Sequence, residues 1–147
     1  MKTCVTLFVF LLSILIPTTG ITEASKINYQ IDCLARVMYH EARAEPSKGI
    51  AAVGNVVINR KNSKQYGSTI CEVVYSRNQF SGIHQRKYTD WKSYNRIYKI
   101  AETTYSSKHD VTFGATYFHN QKVKPRWSYR MQKTITIGNH SFYKNVR

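Results

Sequence analysis

Glu41 opens a route to acid–base chemistry in this sequence. Between Tyr29 and Arg43, the residues Leu34, Val37, Met38 and Glu41 stand at i, i+3, i+4 and i+7. That spacing aligns them on one face of a helix. Leu34, Val37 and Met38 make the face apolar, so a carboxylate in line with them is desolvated. Desolvation raises the pKa of a carboxyl group. An acid that keeps its proton near neutrality can give it to a leaving oxygen, which is what glycosidic bond cleavage requires. Periodicity leaves a second role equally open, an ion pair with Arg43, Arg60 or another of the many cations. Glu45 directly precedes Pro46, where a helix must end, and reads as a turn or supporting residue.

The chain holds 8 Asp and Glu residues. Asp32, Glu72, Asp90, Glu102 and Asp110 all suit loops, caps or exposed helix faces. None makes a convincing partner for Glu41, although the usual glycosidase needs two carboxylates across the scissile bond. The histidines are His40, His84, His109, His119 and His140, without an HExxH or similar spacing. No metal and no cofactor is expected. His40 neighbours Glu41 in the chain, so the two point to different helix faces.

The elements that must position these groups read as helices first and strands last. Tyr29 to Arg43 forms one helix. Pro46 stops it and opens a second at its first turn. Ile50, Val53, Val56 and Val57 mark the buried stripe of that second helix, which ends near Arg60. Lys61 to Ser68 is a polar loop, Ile70 to Tyr75 a short helical or irregular segment, and Asn78 to Tyr88 a loop. Trp91, Tyr94, Tyr98, Ala101 and Tyr105 keep helical spacing, so Asp90 to Tyr105 is a third long helix with its aromatic stripe in the core. Val111 to His119 reads as a strand. Thr134 to Tyr143 reads as two short strands around a Gly138-Asn139 turn. Helices followed by a small antiparallel element make an α+β domain.

Charge and the N-terminus bound the setting. The formal charge is +14, and hydrophobic residues are 42% of the 147. Such a chain can build a core and is drawn to polyanions: nucleic acid, anionic lipid or an anionic wall. Lys2 followed by the apolar run Val5 to Ile16 and then Pro17 suits a signal peptide. The run is shorter than the roughly 20 residues that span a bilayer, though an uncleaved anchor is the alternative. Cleavage after Gly20 or Ala24 fits, giving a leader over 1–24 and a catalytic domain over 25–147. Cys33 and Cys71 then remain, as an oxidised pair in an exported chain or as two buried thiols.

Three stretches carry a resemblance. The first runs Cys33-Leu-Ala-Arg-Val-Met-Tyr-His-Glu-Ala-Arg-Ala-Glu-Pro46 and continues through Gly49-Ile-Ala-Ala-Val-Gly-Asn-Val-Val-Ile-Asn-Arg60. The second is Thr69-Ile-Cys-Glu-Val-Val-Tyr75 with Gln79-Phe80-Ser81. The third is Ala115-Thr-Tyr-Phe-His-Asn120, Pro125-Arg-Trp127 and Ile137-Gly-Asn-His-Ser-Phe-Tyr143. In this order they resemble the SleB/CwlJ-type cell wall hydrolases over nearly the whole chain after the leader. Two positions differ: Ala44 stands where the family has Gly, and Gly82-Ile83 follows Ser81 where an aromatic residue is usual.

The resemblance implies a lysozyme-like, lytic-transglycosylase-like fold with Glu41 as acid and base. It brings Gln79, Ser81, His119, Asn120, Trp127 and Tyr143 forward as residues that bind sugar. The implied reaction is cleavage of the MurNAc–GlcNAc bond of peptidoglycan without water, by attack of the muramyl 6-hydroxyl. Hydrolysis by the same Glu is the near alternative, and an amidase is a more distant one. A wall- or nucleic-acid-binding protein without catalysis would leave Glu41 unexplained. The expected partners are glycan strands and, through charge, anionic wall polymers; no nucleic acid and no stable protein partner is expected.

Overall fold

The computed structural model describes residues 22–80, 83–84 and 87–146. Four helices come first: α1 (Glu23–Ala42), α2 (Ser47–Ser63), α3 (Ile70–Tyr75) and α4 (Trp91–Ser106). Three strands follow: β1 (Tyr117–Asn120), β2 (Gln132–Ile137) and β3 (His140–Lys144), with a short 3-10 helix, Arg126–Arg130, between β1 and β2. The α+β expectation therefore holds.

The helix α1 runs through the middle of the molecule. Ile31, Leu34, Ala35, Val37, Met38 and Tyr39 are all buried, against residues from α2, α3 and α4. Burying a large aliphatic or aromatic side chain contributes about 1.5–3 kcal/mol, so this helix carries much of the fold. Its far end is pinned by Tyr39, whose hydroxyl accepts from the backbone N–H groups of Thr89 (3.2 Å) and Asp90 (3.0 Å). A disulfide joins Cys33 on α1 to Cys71 on α3, 38 residues apart. Closing a loop of that length stabilises a fold by roughly 3–4 kcal/mol in the chain-entropy account.

The sheet has the order β1-β3-β2, with both pairings antiparallel. Alternation along the strands gives it two unlike faces. Phe118, Phe142, Ile135 and Ile137 face inward and pack on Ala52 and Val56 of α2. Tyr117, His119, Ser141 and Tyr143 share the other face. Arg60 ties α2 to the segment entering β1: its Nε donates to the Thr116 carbonyl at 2.8 Å, and its guanidinium lies over the rings of Tyr66 and Phe80.

Several boundaries differ from the sequence reading. α1 begins at Glu23, capped by the Thr22 hydroxyl, rather than near Tyr29. Cleavage after Ala24 would thus fall inside its first turn; residues 1–21 lie outside the described residues. α2 continues to Ser63 and ends on Lys64 in the left-handed conformation. Ile70–Tyr75 is a true helix, because Thr69 and Glu72 form a reciprocal capping box that satisfies free N–H groups. The strand expected over Val111 to His119 shortens to Tyr117–Asn120. The Asp110 carboxylate explains the loss. It accepts from the backbone N–H of Thr112 (2.8 Å) and of Gly114 (2.6 Å) and so folds the preceding segment into a turn. Phe113 is left in a positive-φ conformation, 62% exposed. In α4 the aromatic stripe is core at Tyr94, but Trp91 is 63% exposed.

Candidate active site

Glu41 lies in the last turn of α1 and is half-buried, so it is less withdrawn from water than its apolar stripe implies. The chain turns directly after it, with the Glu45 N–H donating to the Ala42 carbonyl at 2.9 Å. This brings Glu45 back beneath the β2–β3 turn. There Glu45 is only 8% exposed. One carboxylate oxygen accepts the backbone N–H of Asn139 at 3.0 Å, and the other accepts the Asn139 side-chain amide at 2.9 Å.

Gly138 makes this approach possible. Its φ is +57, and a Cβ there would stand 3.0 Å from the Glu45 carboxyl carbon and collide with Oε2. Only glycine meets both demands without strain. The end of the Glu41-bearing helix is therefore clasped to the hairpin turn.

His140 follows in the same turn and was not singled out from the sequence. It is buried, and its Nδ1 lies 3.8 Å from Glu45 Oε1. Burial holds the imidazole below the ordinary histidine pKa, and His119 pushes the same way. The Glu45 and Glu41 carboxylates oppose that shift without reversing it. Strand alternation could have revealed this residue: His140 shares a face with Phe142, so an inward Phe142 implies an inward His140.

The remaining carboxylates among the described residues have other surroundings. Asp32 accepts the Tyr94 hydroxyl, and that hydrogen bond together with burial pushes the Tyr94 phenol well up. Glu72 and Asp90 cap helices. Asp110 is the turn-former described above. Burial alone would raise its pKa, but hydrogen bonds from Thr112, Asn59 and Gly114 outweigh it and hold the group low. Glu102 is exposed on α4, and Glu23 pairs with Lys26 at the surface. Among the described residues no three His, Cys, Asp or Glu side chains converge as metal ligands would.

Of the residues proposed to bind sugar, three come together on the outer face of the sheet. The rings of His119 and Tyr143 stack at 5.2 Å, and Trp127 meets each of them edge-on at 5.6 Å. His119 Nδ1 lies 2.9 Å from the Asn120 carbonyl oxygen and Nε2 lies 3.0 Å from the Tyr143 hydroxyl. A carbonyl only accepts, so Nδ1 carries a proton; in the neutral ring Nε2 then accepts from the Tyr143 hydroxyl. The Asn120 side chain shapes a turn instead, its Oδ1 accepting the Lys122 N–H at 3.0 Å. Gln79 stands half-buried in the turn after α3, its N–H donating to the Ser76 carbonyl at 3.2 Å. Ser81 lies outside the described residues.

Comparison with known proteins fits this architecture. The family model for Cell Wall Hydrolase matches residues 44–143. The chain belongs to the cell wall hydrolase family. The matched span contains Glu45, His119, Gly138 and His140 and begins just past Glu41. A spore cortex-lytic enzyme of Oceanobacillus iheyensis is 26% identical over 129 residues, 87% of this chain and 46% of the relative. One from Bacillus cereus is 28% identical over 118 residues, 78% of this chain and 44% of the relative. The chain thus spans less than half the length of these relatives.

Among solved structures, the catalytic domain of the Bacillus cereus SleB protein superposes with a TM-score of 0.63 at 23% identity, covering 86% of this chain and 94% of that one. The catalytic domain of the germination-specific lytic transglycosylase SleB from Bacillus anthracis gives a TM-score of 0.65 at 25% identity, covering 88% and 100%. The fold is the mostly helical, lysozyme-like arrangement of those catalytic domains, with the small sheet near the C-terminus.

Proposed function

We propose that this cell wall hydrolase cleaves the MurNAc–GlcNAc bond of peptidoglycan as a lytic transglycosylase, with Glu41 as the acid and then the base. The observation that carries the reading is the place of Glu41, at the half-exposed end of a helix that the Glu45–Asn139 contact holds against the sheet. Glu45 spends both oxygens on Asn139, so it is not available to activate water or to form a covalent intermediate. Glu41 stands in the last turn of the helix, half-exposed, where a substrate can reach it. A site with one working carboxylate suits a mechanism that needs only one.

In that mechanism the Glu41 carboxyl gives its proton to the glycosidic oxygen. The bond from that oxygen to the muramyl C1 breaks, and its electron pair leaves with the GlcNAc oxygen. The resulting carboxylate takes the proton of the muramyl 6-hydroxyl, and O6 bonds to C1. The product is a 1,6-anhydromuramyl end, and Glu41 is protonated again, ready for another cycle. The spore cortex-lytic enzymes and the lytic transglycosylase domain to which the chain is similar support the same chemistry here. His119, Trp127 and Tyr143 supply an aromatic surface on which a pyranose can lie, and Gln79, Ser81 and Asn120 are further sugar contacts in this reading. The leader over 1–24 would export the enzyme to the wall. No helix among the described residues is long and apolar enough to cross a membrane.

The test is Glu41→Gln. This isosteric change should abolish release of soluble muropeptides from purified walls while leaving the thermal midpoint within a few degrees. Undiminished release by the folded variant would remove Glu41 from the chemistry. Absence of release by the unaltered protein would instead favour the rival class, a basic wall-binding protein without catalysis.

A further inference from the structure

A cavity of about 290 Å³ opens beside the aromatic cluster on the outer face of the sheet. Its walls include His119, Ser141 and Tyr143 from the strands, with Tyr129 from the short 3-10 helix. Lys124 and Lys133 also line it, and no carboxylate does among the described residues. Neither lysine has an ion pair among the described residues, although two cations at one concave site repel each other and attract an anion. The cavity therefore offers a flat aromatic wall, hydroxyl groups and two ammonium groups. That is the complement of an amino sugar carrying a carboxylate.

Its position says which glycan would present that group. Lys133 lies opposite Tyr143 across the β2–β3 pairing. Lys124 sits in the loop leaving β1. Gln121 in the same loop donates its backbone N–H to the Asn139 carbonyl at 2.8 Å and its side-chain amide to the Gly138 carbonyl at 2.8 Å. Gly138 and Asn139 are the residues clasped by Glu45 at the end of α1. One hydrogen-bonded assembly thus joins the cationic cavity to the turn that follows Glu41.

We infer that this cavity is a subsite for the peptide stem of a muramyl residue, with Lys124 and Lys133 holding its carboxylates while His119 and Tyr143 face the sugar. The inference rests on the peptidoglycan reading above and deepens it: the enzyme would prefer strands that still carry their peptides. The two ideas fail separately. Loss of lysis in Glu41→Gln tests the chemistry, whereas fragment binding tests the cavity.

The probe is a GlcNAc–MurNAc disaccharide bearing its peptide stem, which contains no MurNAc–GlcNAc bond to be cut. It is compared with the same disaccharide in which a simple amide on the lactyl carboxyl replaces the peptide, so that it carries no carboxylate, and with a glycerol-phosphate oligomer. Binding is followed by the fluorescence of Trp127 in a Trp91→Phe background, with calorimetry as a second readout. The peptide-bearing fragment should bind at least about tenfold more tightly than the amide disaccharide, as expected for charge-assisted hydrogen bonds. Lys124→Gln with Lys133→Gln should erase that ratio while the far-ultraviolet dichroism stays unchanged. Equal binding of the two disaccharides would overturn the inference, as would a ratio that survives the double substitution. A phosphate oligomer that binds as tightly as the peptide-bearing fragment would reassign the cavity to an anionic wall polymer and also overturn it.

Discussion

Glu45 holds Asn139 at two points, through the backbone N–H at 3.0 Å and the side-chain amide at 2.9 Å, across 94 residues of sequence. This is the contact that fixes the end of the Glu41-bearing helix against the sheet. Both hydrogen bonds are part-buried and made to a carboxylate, and such bonds are stronger than neutral ones.

Breaking either partner should therefore cost more than an ordinary surface change. Asn139→Ala and Glu45→Gln should each destabilise by about 1–3 kcal/mol, because in either case a polar atom of the buried residue 45 is left without its partner. The double variant should lose less than the sum of the two, since both report one interaction. Urea denaturation of the four proteins measures this cycle. Additive losses would mean the two residues act independently.

Gly138 carries a sharper steric prediction. Gly138→Ala should destabilise more than Gly114→Ala. Both glycines have positive φ, +57 and +82, but a Cβ at Gly114 meets nothing within 4 Å. The Gly114 variant should lose only backbone strain, roughly 1–2 kcal/mol. The Gly138 variant must also displace the Glu45 carboxylate, so it should lose activity with stability. Equal thermal midpoints for the two would show that the clasp yields easily.

The buried His140 predicts how stability follows pH. Its folded pKa lies below the ordinary value of 6.5, chiefly through burial. The unfolded chain then binds the proton more readily, so stability rises with pH across the interval between the depressed pKa and 6.5. As pH falls from 7 through that window the thermal midpoint should drop, and below the folded pKa this group adds no further loss. His140→Gln should flatten that part of the profile. A profile of unchanged slope in the variant would assign the effect to other groups.

The formal charge of +14 predicts a dependence on ionic strength. Attraction between a cationic surface and an anionic wall is screened over about 8 Å at physiological salt. Wall lysis should fall several-fold between 50 mM and 500 mM salt, as followed by turbidity. A flat response would mean that the basic surface does not help the enzyme to its substrate.

What could be read from the sequence was what is local. The α1 stripe announced itself because Leu34, Val37 and Met38 repeat at helical spacing, and the Gly138-Asn139 turn because its residues favour positive φ. The failures came where a side chain acted on distant or irregular backbone. Asp110 turned a segment rich in strand-forming residues into a loop. Glu45 was read as a turn or supporting residue, but periodicity cannot show that its partner is Asn139. The cluster of His119, Trp127 and Tyr143 was legible as separate motifs only; the 3-10 helix that carries Trp127 onto the sheet has no periodic signature. His140 was within reach, since its strand alternates, but its importance depends on the carboxylates facing it.

In the proposed mechanism Glu41 works alone, first as acid and then as base, with the substrate's own hydroxyl completing the reaction. The most direct test is mass spectrometry of the muropeptides released from purified walls in heavy-oxygen water. The expected products are 1,6-anhydromuramyl ends containing no heavy oxygen. Reducing muramyl ends labelled with heavy oxygen would contradict it and make water the nucleophile.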